Sequence, residues 1–88
     1  MAYHILIVDD EINSLKVLSA ALKNSMTAID TARSGEEAVD LIQKKKYSVV
    51  ISDFKMGGMS GEQLLEKVKT LYPDLRVLIL EQRNSKLR

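Results

Sequence analysis

Asp53 closes an apolar run, Val49-Val50-Ile51-Ser52-Asp53, and leads straight into Phe54-Lys55-Met56-Gly57-Gly58-Met59-Ser60-Gly61. A second acidic group, Asp9-Asp10-Glu11, closes an earlier run, Ile5-Leu6-Ile7-Val8. If both runs are strands of one parallel sheet, their carboxyl ends lie side by side and the acids meet at one rim. Carboxylates at contact distance repel by ~4 kcal/mol per pair at an effective dielectric near 20. Such a cluster raises a pKa or holds a divalent cation with oxygen ligands. The expected chemistry is a Mg²⁺-dependent acidic pocket with one carboxylate, Asp53, placed to react.

The elements that must position these acids follow from periodicity. Tyr3 to Val8 reads as a fully buried strand. Ile12, Leu15, Leu18 and Leu22 recur at helical spacing, so Glu11 to Asn24 reads as an amphipathic helix. Thr27 to Ala32 is a weaker strand. Ser34 is a good N-cap, with Glu37 three residues on to complete a capping box. Ala38, Val39, Leu41 and Ile42 supply that helix's apolar side, and Lys44-Lys45-Lys46 suits the negative end of its dipole as a solvated terminus. Tyr47 to Asp53 is the third strand. Ser60 and Gln63 form another capping-box pair. Leu64, Leu65, Val68 and Leu71 mark a third helix that must stop before Pro73. Arg76 to Leu80 is a fourth strand. Strict alternation of strands and helices argues for a parallel sheet covered by helices on both faces. In such sheets ligands sit beyond the carboxyl ends of the strands, where Asp9, Asp10 and Asp53 stand.

Composition narrows the classes. The 88 residues allow one domain. Its expected extent is 1–81, with 82–88 as a polar C-terminal tail. Thirteen basic and twelve acidic residues leave a net charge of +1, which offers nothing to attract nucleic acid or an anionic membrane directly. There is no cysteine, so disulfide, thiolate and Cys-based zinc chemistry are excluded. That absence, with no signal-peptide pattern and no run of the ~20 apolar residues a membrane span requires, fits a cytoplasmic protein.

Taken together, the Ile5-Leu6-Ile7-Val8-Asp9-Asp10-Glu11 segment and Asp53 followed by Met56, Met59 and Gly61 resemble the receiver domain of bacterial two-component response regulators. The resemblance runs without gaps from about residue 3 to residue 80. It implies a flavodoxin-like (CheY-like) α/β fold, of strand order 2-1-3-4-5 in complete members and 2-1-3-4 here, lacking the family's last α-β-α portion. It implies a signalling module, not an enzyme. Asp53 would accept a phosphoryl group from a sensor histidine kinase. Asp10 and Asp53 would bind Mg²⁺ directly, the Lys55 backbone carbonyl would be a further ligand, and Asp9 would act mainly through a bound water.

Three departures from the family stand beside these matches. Gly57 replaces the usual Pro, which predicts a more mobile loop beside Asp53. Glu81 falls where the family places a Ser or Thr that reaches the phosphoryl group. The fifth-strand Lys has no counterpart by alignment; Lys55, two residues after Asp53, is the candidate substitute. Val77-Leu78-Ile79-Leu80 would also become an uncharged sheet edge, a template for pairing. A homodimer or higher species is therefore expected through the fourth strand and the uncovered sheet face. The alternative function is an incomplete receiver with impaired phosphotransfer, acting in self-association or partner binding. A small phosphohydrolase using Asp53 as nucleophile is the weakest reading, because no substrate pocket or second acid/base is evident.

His4 reads as a bland residue before a strand, and Glu11 as a first-turn helix acid. Met56 and Met59 read as loop anchors packed on the sheet.

Overall fold

The run Ile5-Leu6-Ile7-Val8 has no polar side, so it must be covered both above and below. The computed structural model, which describes residues 3–80, gives it an inner place in a parallel sheet. The elements are β1 (Tyr3–Val8), α1 (Ile12–Leu22), β2 (Thr27–Ala32), α2 (Gly35–Lys44), β3 (Val49–Asp53), α3 (Gly61–Leu71) and β4 (Arg76–Leu80). The sheet order is β2-β1-β3-β4, the flavodoxin-like order expected from the sequence, and every pairing is parallel. Glu81 and the segment 82–88 lie outside the described residues.

Alternation along β1 sends its side chains to two unequal cores. Leu6 and Val8 join Ala32, Ala38, Ile42, Val50, Leu64 and Val68 in one buried cluster beneath α2 and α3. Ile7 turns the other way, toward the side where α1 packs on β1 and β2 with Leu15 buried. This second side is thinner. Leu78 and Leu80 on β4 keep 53% and 43% of their surface, and Val17 of α1 is also exposed. Among the described residues β4 is an edge strand, as the sequence leads one to expect, with Leu78 and Leu80 on its open side.

Local chemistry explains where the boundaries fall. Helix α1 begins after Glu11, which is its N-cap and not a first-turn residue as expected. It ends at Leu22 instead of reaching Asn24. Asn24 instead turns its side chain onto the next residues, accepting from Met26 N–H at 2.7 Å and from Thr27 Oγ at 3.1 Å, a local alternative to helical hydrogen bonding. Strand β3 starts at Val49 instead of Tyr47. The Ser48 hydroxyl accepts the His4 N–H at 3.1 Å, so a side chain stands where a backbone carbonyl would continue the ladder.

Two caps were legible before folding. Ser60 accepts from Gln63 N–H at 3.1 Å and Gln63 Oε1 accepts from Ser60 N–H at 2.9 Å, a complete capping box. At α2, Ser34 accepts from Glu37 N–H at 3.0 Å, but Glu37 Oε1 returns to the N–H of Arg33, one residue before the cap, at 2.9 Å. The expected reciprocal box is thus displaced by one residue.

Candidate acidic site at the carboxyl ends of β1 and β3

The register places the acids. Val8 lies opposite Ser52 across the β1–β3 pair, so the next residues, Asp9 and Asp53, leave the two inner strands side by side. One carboxylate oxygen from each of Asp9, Asp10 and Asp53 lies within 4.8 Å of the others. Asp9 is buried, Asp53 half-buried and Asp10 exposed. The three residues singled out from the sequence therefore form one cluster.

Each acid is held by the backbone around it. Asp9 Oδ1 accepts the Glu11 N–H at 3.0 Å, which turns the chain into α1. Asp10 Oδ2 accepts the N–H of Gly57 at 3.0 Å, linking the end of β1 to the loop after β3. The Asp53 main chain is clamped from two sides. The Phe54 N–H donates to Leu80 O of β4, and the Phe54 carbonyl accepts from Gly61 N–H, both at 2.9 Å. Buried Ser52 donates its hydroxyl to the Asp53 carbonyl at 2.9 Å.

Gly61 explains the last position of the Met-x-x-Met-x-Gly spacing. A Cβ there would overlap the Asp53 carbonyl oxygen, with Phe54 Cα at 3.1 Å. Only glycine lets the start of α3 abut the end of β3 this closely. Met56 and Met59 pack against the main core, as anchors of the loop. Met59 also covers Gly35 at the start of α2, where a Cβ would meet its Sδ at 2.6 Å.

The electrostatics fit the geometry. Burial, first, and then the charge of Asp9 push the Asp53 carboxyl above its ordinary value; the Phe54 N–H opposes this, and Asp10 and Glu11 add to the rise. Like charges brought this close are what a cation would relieve. The donor set consists of hard oxygen ligands, the type that suits Mg²⁺, Ca²⁺ or Mn²⁺. Beside it a cleft of about 350 Å³ opens, lined by Asp9, Asn13, Val17, Asp53 and Leu80 among others. Lys55 is exposed on the same loop.

Comparison with known proteins settles the lineage. The family model described as response regulator receiver domain matches residues 5–87. The chain belongs to the receiver domain family of response regulators. It is a module of two-component signal transduction. Receiver domains of this kind are signalling modules. This receiver is 35% identical over 82 residues to the transcriptional regulatory protein GlrR of Escherichia coli K12, covering 93% of this chain and 18% of that protein. It is 38% identical over 74 residues to the DNA-binding transcriptional regulator NtrC of Klebsiella pneumoniae, covering 84% of this chain and 16% of the relative. The receiver thus spans less than a fifth of the length of these curated relatives.

Among solved structures it resembles the response regulator TrrA of Thermotoga maritima in complex with Mg²⁺–BeF, with a TM-score of 0.87 and 33% identity over 93% of this chain and 71% of that one. The chemotaxis protein CheY4 of Vibrio cholerae gives a TM-score of 0.89 at 30% identity, covering 98% and 73%. No helix among the described residues is long and apolar enough to cross a membrane.

Sequence reasoning did not anticipate the Gly57–Asp10 bond or the part played by Ser52. It also missed a polar cluster elsewhere on the sheet. Asp30 Oδ2 receives Tyr47 Oη at 2.7 Å and Lys45 Nζ at 3.1 Å, with His4 Nε2 at 3.0 Å. Lys45 is exposed at the end of α2, as expected of a solvated helix end, and His4 makes a structural contact; what the sequence did not show is that both meet Asp30. An acid in the middle of a weak strand, Thr27-Ala28-Ile29-Asp30-Thr31-Ala32, was the available signal.

Proposed function

We propose that this receiver accepts a phosphoryl group on Asp53 from the phosphohistidine of a sensor histidine kinase, with Mg²⁺ bound at the acidic cluster. The observation that carries this reading is the convergence of Asp9, Asp10 and Asp53 at the rim where the register sets β1 beside β3. In the transfer, a carboxylate oxygen of Asp53 attacks phosphorus. The P–N bond breaks, its electron pair returns to the imidazole, and an acyl phosphate forms. Asp10, Asp53 and the Lys55 carbonyl would be the protein ligands of the ion, with Asp9 acting through water. Bound Mg²⁺ supplies neutralising charge for the incoming phosphoryl oxygens.

The chain's own residues prepare the reaction. Ser52, Leu80 and Gly61 fix the main chain on either side of Asp53, so its side chain starts from a defined position. Such positioning is a large part of what phosphoryl transfer demands. Exposed Lys55 is the cation within reach of sequence to pair with the phosphoryl oxygens.

Incubation with Mg²⁺ and acetyl phosphate tests this. A base-labile mass gain that vanishes in Asp53→Asn is expected. No gain at any Mg²⁺ concentration would refute phosphoryl acceptance.

A second reading, self-association with little phosphotransfer, is favoured by a separate observation. Among the described residues strand β4 stands at the end of the sheet order with Leu78 and Leu80 exposed. An apolar edge of this kind recruits another strand. The proposed assembly is a homodimer in which two β4 edges or two open sheet faces meet.

A further inference from the structure

The loop between β3 and α3 reaches back across the rim of the sheet to touch Asp10. Gly57 donates its backbone N–H to Asp10 Oδ2 at 3.0 Å, joining residues 47 positions apart. The family's usual proline has no N–H and cannot form this bond. Nor does Gly57 serve an obvious steric need. A Cβ there would lie 3.7 Å from Asp10 Oδ2, an ordinary contact, and the positive φ of this loop, 77°, belongs to Gly58. What Gly57 supplies, compared with proline, is a hydrogen-bond donor aimed at a carboxylate of the acidic cluster.

We propose that the Gly57 N–H is a latch that holds Asp10 and the loop together in the metal-free receiver, and that a divalent cation binding at the cluster releases it. The inference rests on the metal reading given above. The positive end of the N–H dipole takes over part of a cation's work: it offsets negative charge on Asp10, which faces Asp9 and Asp53. A cation drawn to the same carboxylate brings a second positive charge beside that N–H and weakens the bond. Two consequences follow. Binding is weaker than in a chain with no donor to displace, and the loop is freed when the cation enters. Gly57 is a positioning residue, acting on the metal only through Asp10.

Mg²⁺ titrated by calorimetry into the parent, Gly57→Ala and Gly57→Pro, with NMR hydrogen exchange at residue 57, tests the latch. Gly57→Ala keeps the N–H and should bind Mg²⁺ within about twofold of the parent. Gly57→Pro should bind roughly tenfold more tightly, the equivalent of one net hydrogen bond to a charged group. The Gly57 amide should exchange faster in saturating Mg²⁺ than without it. A proline variant that binds no more tightly than the alanine variant overturns the latch. So does a Gly57 amide equally protected with and without Mg²⁺ in a parent that binds the ion. If Gly57→Pro does not fold, exchange in the parent and in Gly57→Ala decides alone. No Mg²⁺ binding to any of the three chains overturns the metal reading itself, and the latch with it.

Discussion

Tyr47 donates its hydroxyl to Asp30 Oδ2 at 2.7 Å, and the same oxygen lies within hydrogen-bond distance of Lys45 and His4. The tyrosine ring also leans on the His4 ring, with centroids 4.5 Å apart. One carboxylate thus ties together the start of β1, the middle of β2, the end of α2 and the approach to β3. Tyr47→Phe keeps the buried ring and removes only the hydroxyl. It should lower stability by about 1–2 kcal/mol, as for a hydrogen bond to a charged acceptor. Urea unfolding measures this, and Mg²⁺ binding at the distant acidic cluster should not change.

The same cluster sets an acid limit. Burial alone would raise the Asp30 carboxyl, but the hydrogen bonds from Tyr47 and Lys45, with the charges of His4 and Lys45, bring it below its ordinary 3.8. A depressed folded-state value means that the stabilisation is fully present above 3.8 and is lost as pH falls through the lower folded value. Asp30→Asn should therefore be less stable than the parent at neutral pH, and the difference should shrink at the acid end. Thermal melts across pH would show parallel curves if Asp30 carried no such linkage.

Asp53 has the opposite sign. Its carboxyl titrates above the ordinary 3.8, so ionisation costs stability at neutral pH and this penalty disappears as pH falls below 3.8. In metal-free buffer Asp53→Asn should melt higher than the parent at pH 7 and lose that advantage in acid. A domain of this size moves by roughly 4–8 °C per kcal/mol, so the gain is readable in a melt. Added Mg²⁺ should raise the melting temperature of the parent more than that of the variant, since it binds the native state.

Gly61→Ala tests the abutment of α3 on β3. The new Cβ has no room against the Asp53 carbonyl, so the helix start must move. A loss of about 1–3 kcal/mol is expected from such overpacking. Phosphorylation from acetyl phosphate should slow as well, because the same shift displaces the main chain of Asp53. An alanine variant of unchanged stability would show that the contact relaxes without cost.

Leu78→Lys tests the proposed edge association. The residue is 53% exposed, so a charge there costs the fold little, while a charged edge resists strand pairing. Sedimentation across concentrations should show association in the parent and its loss in the variant. A parent that stays monomeric throughout would refute the proposed dimer.

Much of this was legible in the residues. Continuous apolar runs ending in acids announced β1 and β3, and the parallel register that follows from strand–helix alternation made Asp9, Asp10 and Asp53 converge. Ser60 and Gln63 marked α3 because a capping box is a local device, complete within four residues. Bonds between distant backbone and side-chain atoms were not legible. Gly57 was read as a source of loop freedom, whereas its N–H fastens the loop to Asp10. Ser48 moved the start of β3 by offering a side-chain oxygen, which periodicity does not register. Asp30 looked like a blemish in a weak strand until Tyr47, Lys45 and His4 were brought to it by the fold.

The unequal cores have a consequence for how such a chain can change over generations. Leu6, Val8, Val50, Leu64 and Val68, pressed together under α2 and α3, leave little latitude for different shapes. Around Val17, Leu78 and Leu80, replacements meet water instead of neighbours. Shape changes are therefore better tolerated on the α1 side of the sheet, and because Val17 and Leu80 also line the cleft beside Asp53, such changes reshape the approach to the acidic cluster without disturbing the core beneath it.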